Sequence, residues 1–246
     1  MIFILVHGSF HGGWCWKHVA GLLRKGGHDV YIPSLTGLGE RAHLLARGVD
    51  LETHIADVLG LVSSEDLNDV VLVGHSAAGM IVDAVADRCP ERVRALIYLD
   101  GTPAEDGRSF FDIMAIHQPE VVKAAREFIN RFGDGWRVSP LSAAAFGIRD
   151  PMMQQWVEER LRPQSLATFE QAVTIRGSGA RVPRAYIACT DPVYSPMSVA
   201  AAEHAKLCRW KYREIHTCHD AMLTAPAELA ITIESVLREL KEHQDC

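Results

Sequence analysis

The stretch Val70-Val71-Leu72-Val73-Gly74-His75-Ser76-Ala77-Ala78-Gly79-Met80 decides how this chain is read. Its apolar, mostly β-branched opening predicts a buried strand, the residues from Ala77 predict a helix, and a serine stands at the turn between them. A strand-to-helix turn that lifts a serine Oγ into the open brings backbones close two residues to either side, so both positions must be small. Gly74 meets that demand fully. Ala78 carries one methyl more, so the pattern is G-x-S-x-A, with a glycine one place later at Gly79. The turn therefore has to be weighed with its surroundings.

Working outward, short apolar runs alternate with helical patterns. Strands are expected at 2–6, 29–32, 70–73, 95–99, 184–188 and 210–215, and helices at 16–25, 51–63, 77–88, 197–206 and 227–242. Unbroken apolar runs between helices predict a parallel sheet covered on both faces, hence a doubly wound α/β architecture of about six strands. The rhythm breaks between Pro103 and Pro183, where no strand is expected and helical stretches carry Phe110, Phe111, Phe128, Phe132, Trp136, Phe146, Trp156 and Phe169. This predicts a helical cap over residues 103–182, inserted into a core formed by 1–102 and 183–246. Most of these aromatics are expected to form the cap's own core. A few should face the carboxyl ends of the strands, where open α/β sheets bind ligands. Phe110, Trp136 and Phe146, with Phe10 from the core, are the substrate-binding candidates.

The 246 residues suit one domain with a large core; 48% are hydrophobic and 23% charged, as in a soluble globular protein. No apolar run approaches the roughly 20 residues of a membrane span. A net charge of −6 without any Lys/Arg cluster argues against nucleic acid, whose phosphates need a concentrated basic face. The expected partner is a small neutral molecule, and a homodimer formed through the cap or the final helix is compatible with the sequence. The six cysteines lack C-x-x-C spacing and fall largely in apolar segments, and the chain opens directly on a strand, Ile2 to Val6. Both features lead to the expectation of a reducing, cytoplasmic setting.

A serine hydroxyl is a weak nucleophile near neutral pH and needs a base, itself oriented by a carboxylate. The last strand leads into Thr217-Cys218-His219-Asp220, which offers His219 as the base. The strand before it leads into Thr190-Asp191-Pro192, which offers Asp191 as the orienting acid. Singly, Asp191 could be a turn-forming Asp-Pro and His219 a loop histidine; jointly they place Ser76, Asp191 and His219 each just after a strand, in the chain order of the α/β-hydrolases. Asp100 also ends a strand and is the rival acid, although Gly101-Thr102-Pro103 reads as a turn into the cap. The glycine-rich loop His7-Gly8-Ser9-Phe10-His11-Gly12-Gly13 follows the first strand, and the amides of Ser9 and Ala77 are the candidate oxyanion hole. The histidines show no metal-ligand spacing, so neither metal nor cofactor is expected.

With Leu5-Val-His-Gly-Ser-Phe-His-Gly-Gly-Trp-Cys-Trp16 at the start, Val71–Met80 at the turn, Tyr186–Asp191 and Cys218–Leu229, the sequence resembles the plant methylesterase and hydroxynitrile lyase branch of the α/β-hydrolase superfamily and its bacterial esterase relatives. The likeness covers nearly the whole chain and is weak in the cap. It implies the α/β-hydrolase fold with six core strands, a helical cap, no cofactor, and a serine carboxylesterase acting on small, mostly apolar esters. Lyases of the branch carry a threonine after the first loop histidine and a lysine after the catalytic one; here those places hold Gly8 and Asp220. Glycine offers no hydroxyl, and a carboxylate repels cyanide, so both point to ester hydrolysis. Esterases of the branch typically have methionine where Asp220 stands, which leaves their methyl-ester substrates uncertain for this chain. Carbon-carbon cleavage on the same fold and a slow or non-catalytic receptor are the alternatives.

Overall fold

The structure is a computed structural model and describes residues 1–242. Six strands form one sheet: β1 (Ile2–Val6), β2 (Asp29–Tyr31), β3 (Val70–His75), β4 (Val93–Leu99), β7 (Arg184–Cys189) and β8 (Lys211–Ile215), in the order β2-β1-β3-β4-β7-β8. Every adjacent pair is parallel. The central strands are buried along their lengths, as their unbroken apolar runs require: every residue of β3 is buried, and Phe3 to Val6 of β1 are fully inaccessible. Helices α1 (Lys17–Lys25), α2 (Leu51–Ser64), α3 (Ala78–Arg88), α8 (Pro196–Leu207), the single-turn α9 (Ala221–Thr224) and α10 (Pro226–Glu242) supply the crossovers and the final cover.

The register brings the functional loops together. Val6 lies beside Gly74, His75 beside Leu99, and Cys189 beside Ile215, so these strands end along one edge of the sheet. Strand order reverses at the β1/β3 pair, because β2 continues to one side of β1 and all later strands add on the other. An open α/β sheet has its crevice at such a switch point, and the loops after β1 and β3 meet there.

Between β4 and β7 the chain leaves the sheet. It forms α4 (Phe110–His117), α5 (Pro119–Phe132), α6 (Pro151–Glu158) and the single-turn α7 (Ala167–Glu170). It also contains an antiparallel ribbon that the sequence pattern does not announce: β5 (Arg137–Val138) pairs with β6 (Gln164–Ser165). Two residues per strand are too few to display an alternation. Helix starts are legible where side chains satisfy the free amides. Ser109 and Asp112 form a capping box on α4, and the Asp150 side chain accepts from Met153 N on α6. Phe110, Phe111, Phe146 and Phe169 are buried, whereas Phe128, Phe132 and Trp156 are exposed, so the last three are not part of a cap core.

Both ends of this excursion are tied to α3 by buried carboxylates. Asp83 accepts from Tyr98 Oη at 2.6 Å and Ala104 N at 2.8 Å and pairs with Arg184; Asp87 accepts from Arg176 N at 2.7 Å and Gly179 N at 3.2 Å. The helix that carries the serine turn at its start thereby also fixes where the inserted segment departs and returns.

Candidate active site

Ser76 occupies the turn between β3 and α3 with φ of 54°, the left-handed region that an L residue enters only when its surroundings hold it there. They do: Ser76 N donates to Leu99 O, and Ser76 O accepts from Thr102 N and Gly79 N. Gly79 is needed for this contact, since a Cβ there would lie 2.3 Å from Thr102 O. The glycine one place beyond the expected position thus allows α3 to abut the chain leaving β4. Ala78, 1% exposed, is accommodated at the expected position.

The next positive φ along this edge, 45°, belongs to Asp100 at the end of β4. Its amide donates to Ile187 O, and its carboxylate turns inward, where Oδ2 accepts from His219 Nδ1 at 2.6 Å. Both side chains are 2% exposed, so the hydrogen bond is charge-assisted and shielded from water. The carboxylate that meets His219 is therefore Asp100 and not the expected Asp191. Asp191 is 31% exposed and turned outward, with two hydrogen bonds from Arg149 at 2.7 and 3.1 Å and His216 at 3.6 Å. The inserted segment supplies Arg149, a partner invisible in the local sequence, whereas β4 lies next to the serine strand and its end is the nearer platform for an acid. The signal was present in Leu99-Asp100-Gly101, an acid closing an apolar strand beside the one that leads to Ser76.

The other nitrogen, His219 Nε2, is buried without a hydrogen-bond partner among the described residues. His219 and Ser76 line the same cavity, of about 600 Å³. The site therefore contains a serine on a constrained turn and an imidazole whose Nδ1 proton is committed to a carboxylate, the tautomer that leaves Nε2 free to accept a proton.

The loop after β1 is held by its own histidines. Burial pushes the His7 imidazole down to about 3, so it is neutral; Nε2 accepts from Leu35 N at 3.1 Å, and Nδ1–H donates to Gly8 O at 2.8 Å. That carbonyl belongs to the peptide whose N–H is Ser9's, so the bond orients the expected oxyanion donor. Phe10 N is instead taken by Gln164 Oε1 at 3.0 Å, while the Ser9 and Ala77 amides donate to no other group among the described residues. Gly8 must be small, because a Cβ there would lie 2.8 Å from both Ser76 Cβ and His75 Nδ1.

Beneath the site lies a buried ion pair that sequence reasoning missed. Asp220 is fully inaccessible and its Oδ2 accepts from His11 Nε2 at 3.2 Å, while His11 Nδ1–H donates to Ser9 O at 2.8 Å. Burial opposes charge on both, yet the pairing prevails: Asp220 holds the His11 imidazole above its usual range, and His11 holds the Asp220 carboxyl below its own. His75 is neutral, its imidazole pushed far down by burial and by His219 nearby, and its Nε2–H donates to His219 O at 3.1 Å. Among the described residues no group of three or more His, Cys, Asp or Glu is placed to hold a metal.

Of the expected pocket residues, Phe10, Phe110 and Phe146 line the cavity. Trp136 does not: its ring centroid lies 4.8 Å from the guanidinium of Arg137 and 6.0 Å from that of Arg47, and its carbonyl accepts from Leu166 N. It braces the β5–β6 ribbon. Phe111, Met114, Phe169, Tyr194 and Met197 complete the apolar wall, and Val121, Phe128 and Leu141 stand exposed at its rim.

This fold has counterparts among known proteins. The alpha/beta hydrolase family pattern matches residues 3–231. The chain belongs to that family. A carbendazim hydrolyzing esterase from a Nocardioides species is 40% identical over 235 residues, 93% of this chain and 96% of that protein. A pyrethroid hydrolase from Sphingobium wenxiniae is 27% identical over 214 residues, 80% of this chain and 72% of its own length. Among solved structures, an extracellular α/β-hydrolase from a Paenibacillus species, described as sharing homology with tobacco salicylic acid-binding protein 2, superposes with a TM-score of 0.85 at 22% identity, covering 96% of this chain and 98% of that one. The hydrolase family thus extends through both the sheet and the inserted segment. No helix among the described residues is long and apolar enough to cross a membrane.

Proposed function

We propose that this chain is a serine carboxylesterase in which Ser76 is the nucleophile, His219 the general base and Asp100 the orienting acid. The observation that carries this reading is the buried 2.6 Å bond between His219 Nδ1 and Asp100, beside a serine on a constrained turn at the same cavity. Ser76 Oγ attacks the ester carbonyl as His219 Nε2 takes its proton. The oxyanion of the tetrahedral intermediate rests on the amides of Ser9 and Ala77, each worth about 3 kcal/mol of transition-state stabilisation. His219 then returns the proton to the departing alcohol, leaving an acyl-enzyme. Water attacks the acyl-enzyme with the same assistance and restores Ser76.

The substrate is an uncharged ester with a substantial apolar or ring-bearing group. None of the residues lining the cavity is Lys, Arg, Asp or Glu, and His11, which also lines it, is already paired to Asp220, so a charged substituent would lose its hydration without a free partner. The aromatic wall suits flat, apolar groups. A carboxylate, Asp220, stands beside His219 where lyases of the branch carry a lysine, and it is already paired to His11, which disfavours the lyase reading.

The test is reaction with a fluorophosphonate followed by peptide mass mapping, together with a panel of aryl and alkyl esters, with carbendazim assayed beside it as the substrate of the similar esterase and mandelonitrile as the lyase control. Modification confined to Ser76, and hydrolysis abolished by Ser76→Ala, are expected. Cyanide release without ester turnover, or tight ligand binding without any turnover, would replace this reading.

A further inference from the structure

The loop after β7, which was expected to present the acid, delivers an aromatic ring to the base instead. Tyr194 lies flat against His219, with ring centroids 3.8 Å apart and planes inclined by 14°. The loop is pinned on both sides. Thr190 N and Asp191 N donate to Ile215 O and Thr217 O in the chain that leads to His219; the Asp191 carboxylate is clamped by Arg149; and Ser195 caps α8 through Ser198 N. Pro192 packs against Gly147 of the inserted segment, where a Cβ would meet its ring at 3.0 Å. Asp191 and Arg149 thus hold in place the loop that carries Tyr194.

We propose that Tyr194 is a positioning residue for His219: its ring fixes the imidazole plane, and its π face stabilises the imidazolium that forms when the base takes the serine proton. This rests on the reading of His219 as the base. An aromatic face attracts a cation within about 6 Å of its centroid, and the attraction strengthens where water is excluded, as it is here. The gain exists only while the ring is charged, so it favours the transition state over the resting enzyme. The other ionisable groups facing His219 are Asp100 on Nδ1, the adjoining Asp220 with His11 bound to it, His75 with its ring 4.5 Å away, and the thiols of Cys189 and Cys218. All of these remain when Tyr194 alone is changed, so the substitution isolates the aromatic face.

The test is an NMR titration of the His219 imidazole, assigned by its loss in His219→Gln, alongside kcat/KM against pH for a neutral aryl ester. In Tyr194→Leu the His219 pKa should fall by about 0.5 to 1 unit and kcat/KM by roughly 3- to 10-fold, while Tyr194→Phe should hold the pKa within about 0.2 unit. Phenylalanines carrying one, two and three ring fluorines at position 194 keep the shape while draining the π face. They should lower both quantities stepwise, and they keep the proposal testable if the leucine variant fails to fold. An unmoved pKa in Tyr194→Leu, or a flat fluorine series, overturns the proposal even where His219→Gln is inactive. Ester hydrolysis retained by His219→Gln would overturn the base assignment, and this proposal with it.

Discussion

Replacing Asp100 by asparagine keeps the shape of the side chain and removes only its charge, which makes it the decisive perturbation of this site. The bond to His219 Nδ1 is 2.6 Å long between side chains each 2% exposed. An imidazolium and a carboxylate about 4 Å apart, centre to centre, attract by about 4 kcal/mol at an effective dielectric near 20, equivalent to roughly three orders of magnitude in rate. The amide can also turn its NH2 toward Nδ1, placing the ring proton on Nε2, where it blocks proton transfer from Ser76. The corresponding change in a serine protease triad costs about 10⁴ in kcat. Asp100→Asn should therefore lower kcat by roughly 10³- to 10⁴-fold with little change in KM. Asp191→Asn breaks a pair in which Arg149 is 71% exposed. Such bridges contribute at most about 1 kcal/mol, so activity should stay within roughly fivefold of wild type. Initial rates with a 4-nitrophenyl ester, corrected for active sites by fluorophosphonate titration, measure both. An Asp100→Asn enzyme near wild-type activity beside an inactive Asp191→Asn would refute the assignment of the acid.

Gly8→Thr, which restores the residue found in lyases of the resembled branch, forces a Cβ to within 2.8 Å of Ser76 and His75; it should lower kcat/KM at least about tenfold and reduce Tm in a thermal melt. The buried His11–Asp220 pair makes stability depend on pH from both sides. The raised His11 contributes fully below its ordinary 6.5 and loses that contribution as pH rises through its folded value, whereas the lowered Asp220 contributes above its ordinary 3.8 and loses it as pH falls through its folded value. Asp220→Asn should therefore lower Tm at pH 6 by roughly 6 to 12 °C, for a loss of about 3 kcal/mol, and flatten the decline between pH 6 and 9 when melts are compared across buffers. Ala78→Val overfills a site 1% exposed and should destabilise by about 1–3 kcal/mol in urea unfolding and reduce turnover, whereas Ala78→Gly should keep most of it. Phe111→Ala opens the apolar wall, so the preferred acyl or alkyl chain in an ester series should lengthen; an unchanged length optimum would exclude Phe111 from the substrate's path.

The local chemistry of the chain determined what local forces decide. Unbroken apolar runs alternating with helical patterns point to central strands of a parallel sheet, and Val70 to Val73 leading through Gly74, His75 and Ser76 into a helical pattern points to a tight strand-to-helix turn. His219 was legible for the same reason, as the residue that follows the last strand of the sheet. The choice between Asp100 and Asp191 was not local. Each ends a strand, and which carboxylate meets the imidazole depends on β4 lying next to β3, on the backbone at Asp100 turning its side chain inward, and on Arg149, more than forty residues away in sequence, drawing Asp191 outward. The same limit explains Trp136 and the His11–Asp220 pair. An aromatic or charged side chain in an inserted loop carries no sequence mark of the partner it will meet, and that partner is set by packing across distant parts of the chain. The sequence by itself determined the sheet, the serine turn and the histidine after the last strand. Only the tertiary structure decided which carboxylate meets that histidine, the cavity wall and the ring stacked on His219, because each depends on contacts between residues far apart in the chain.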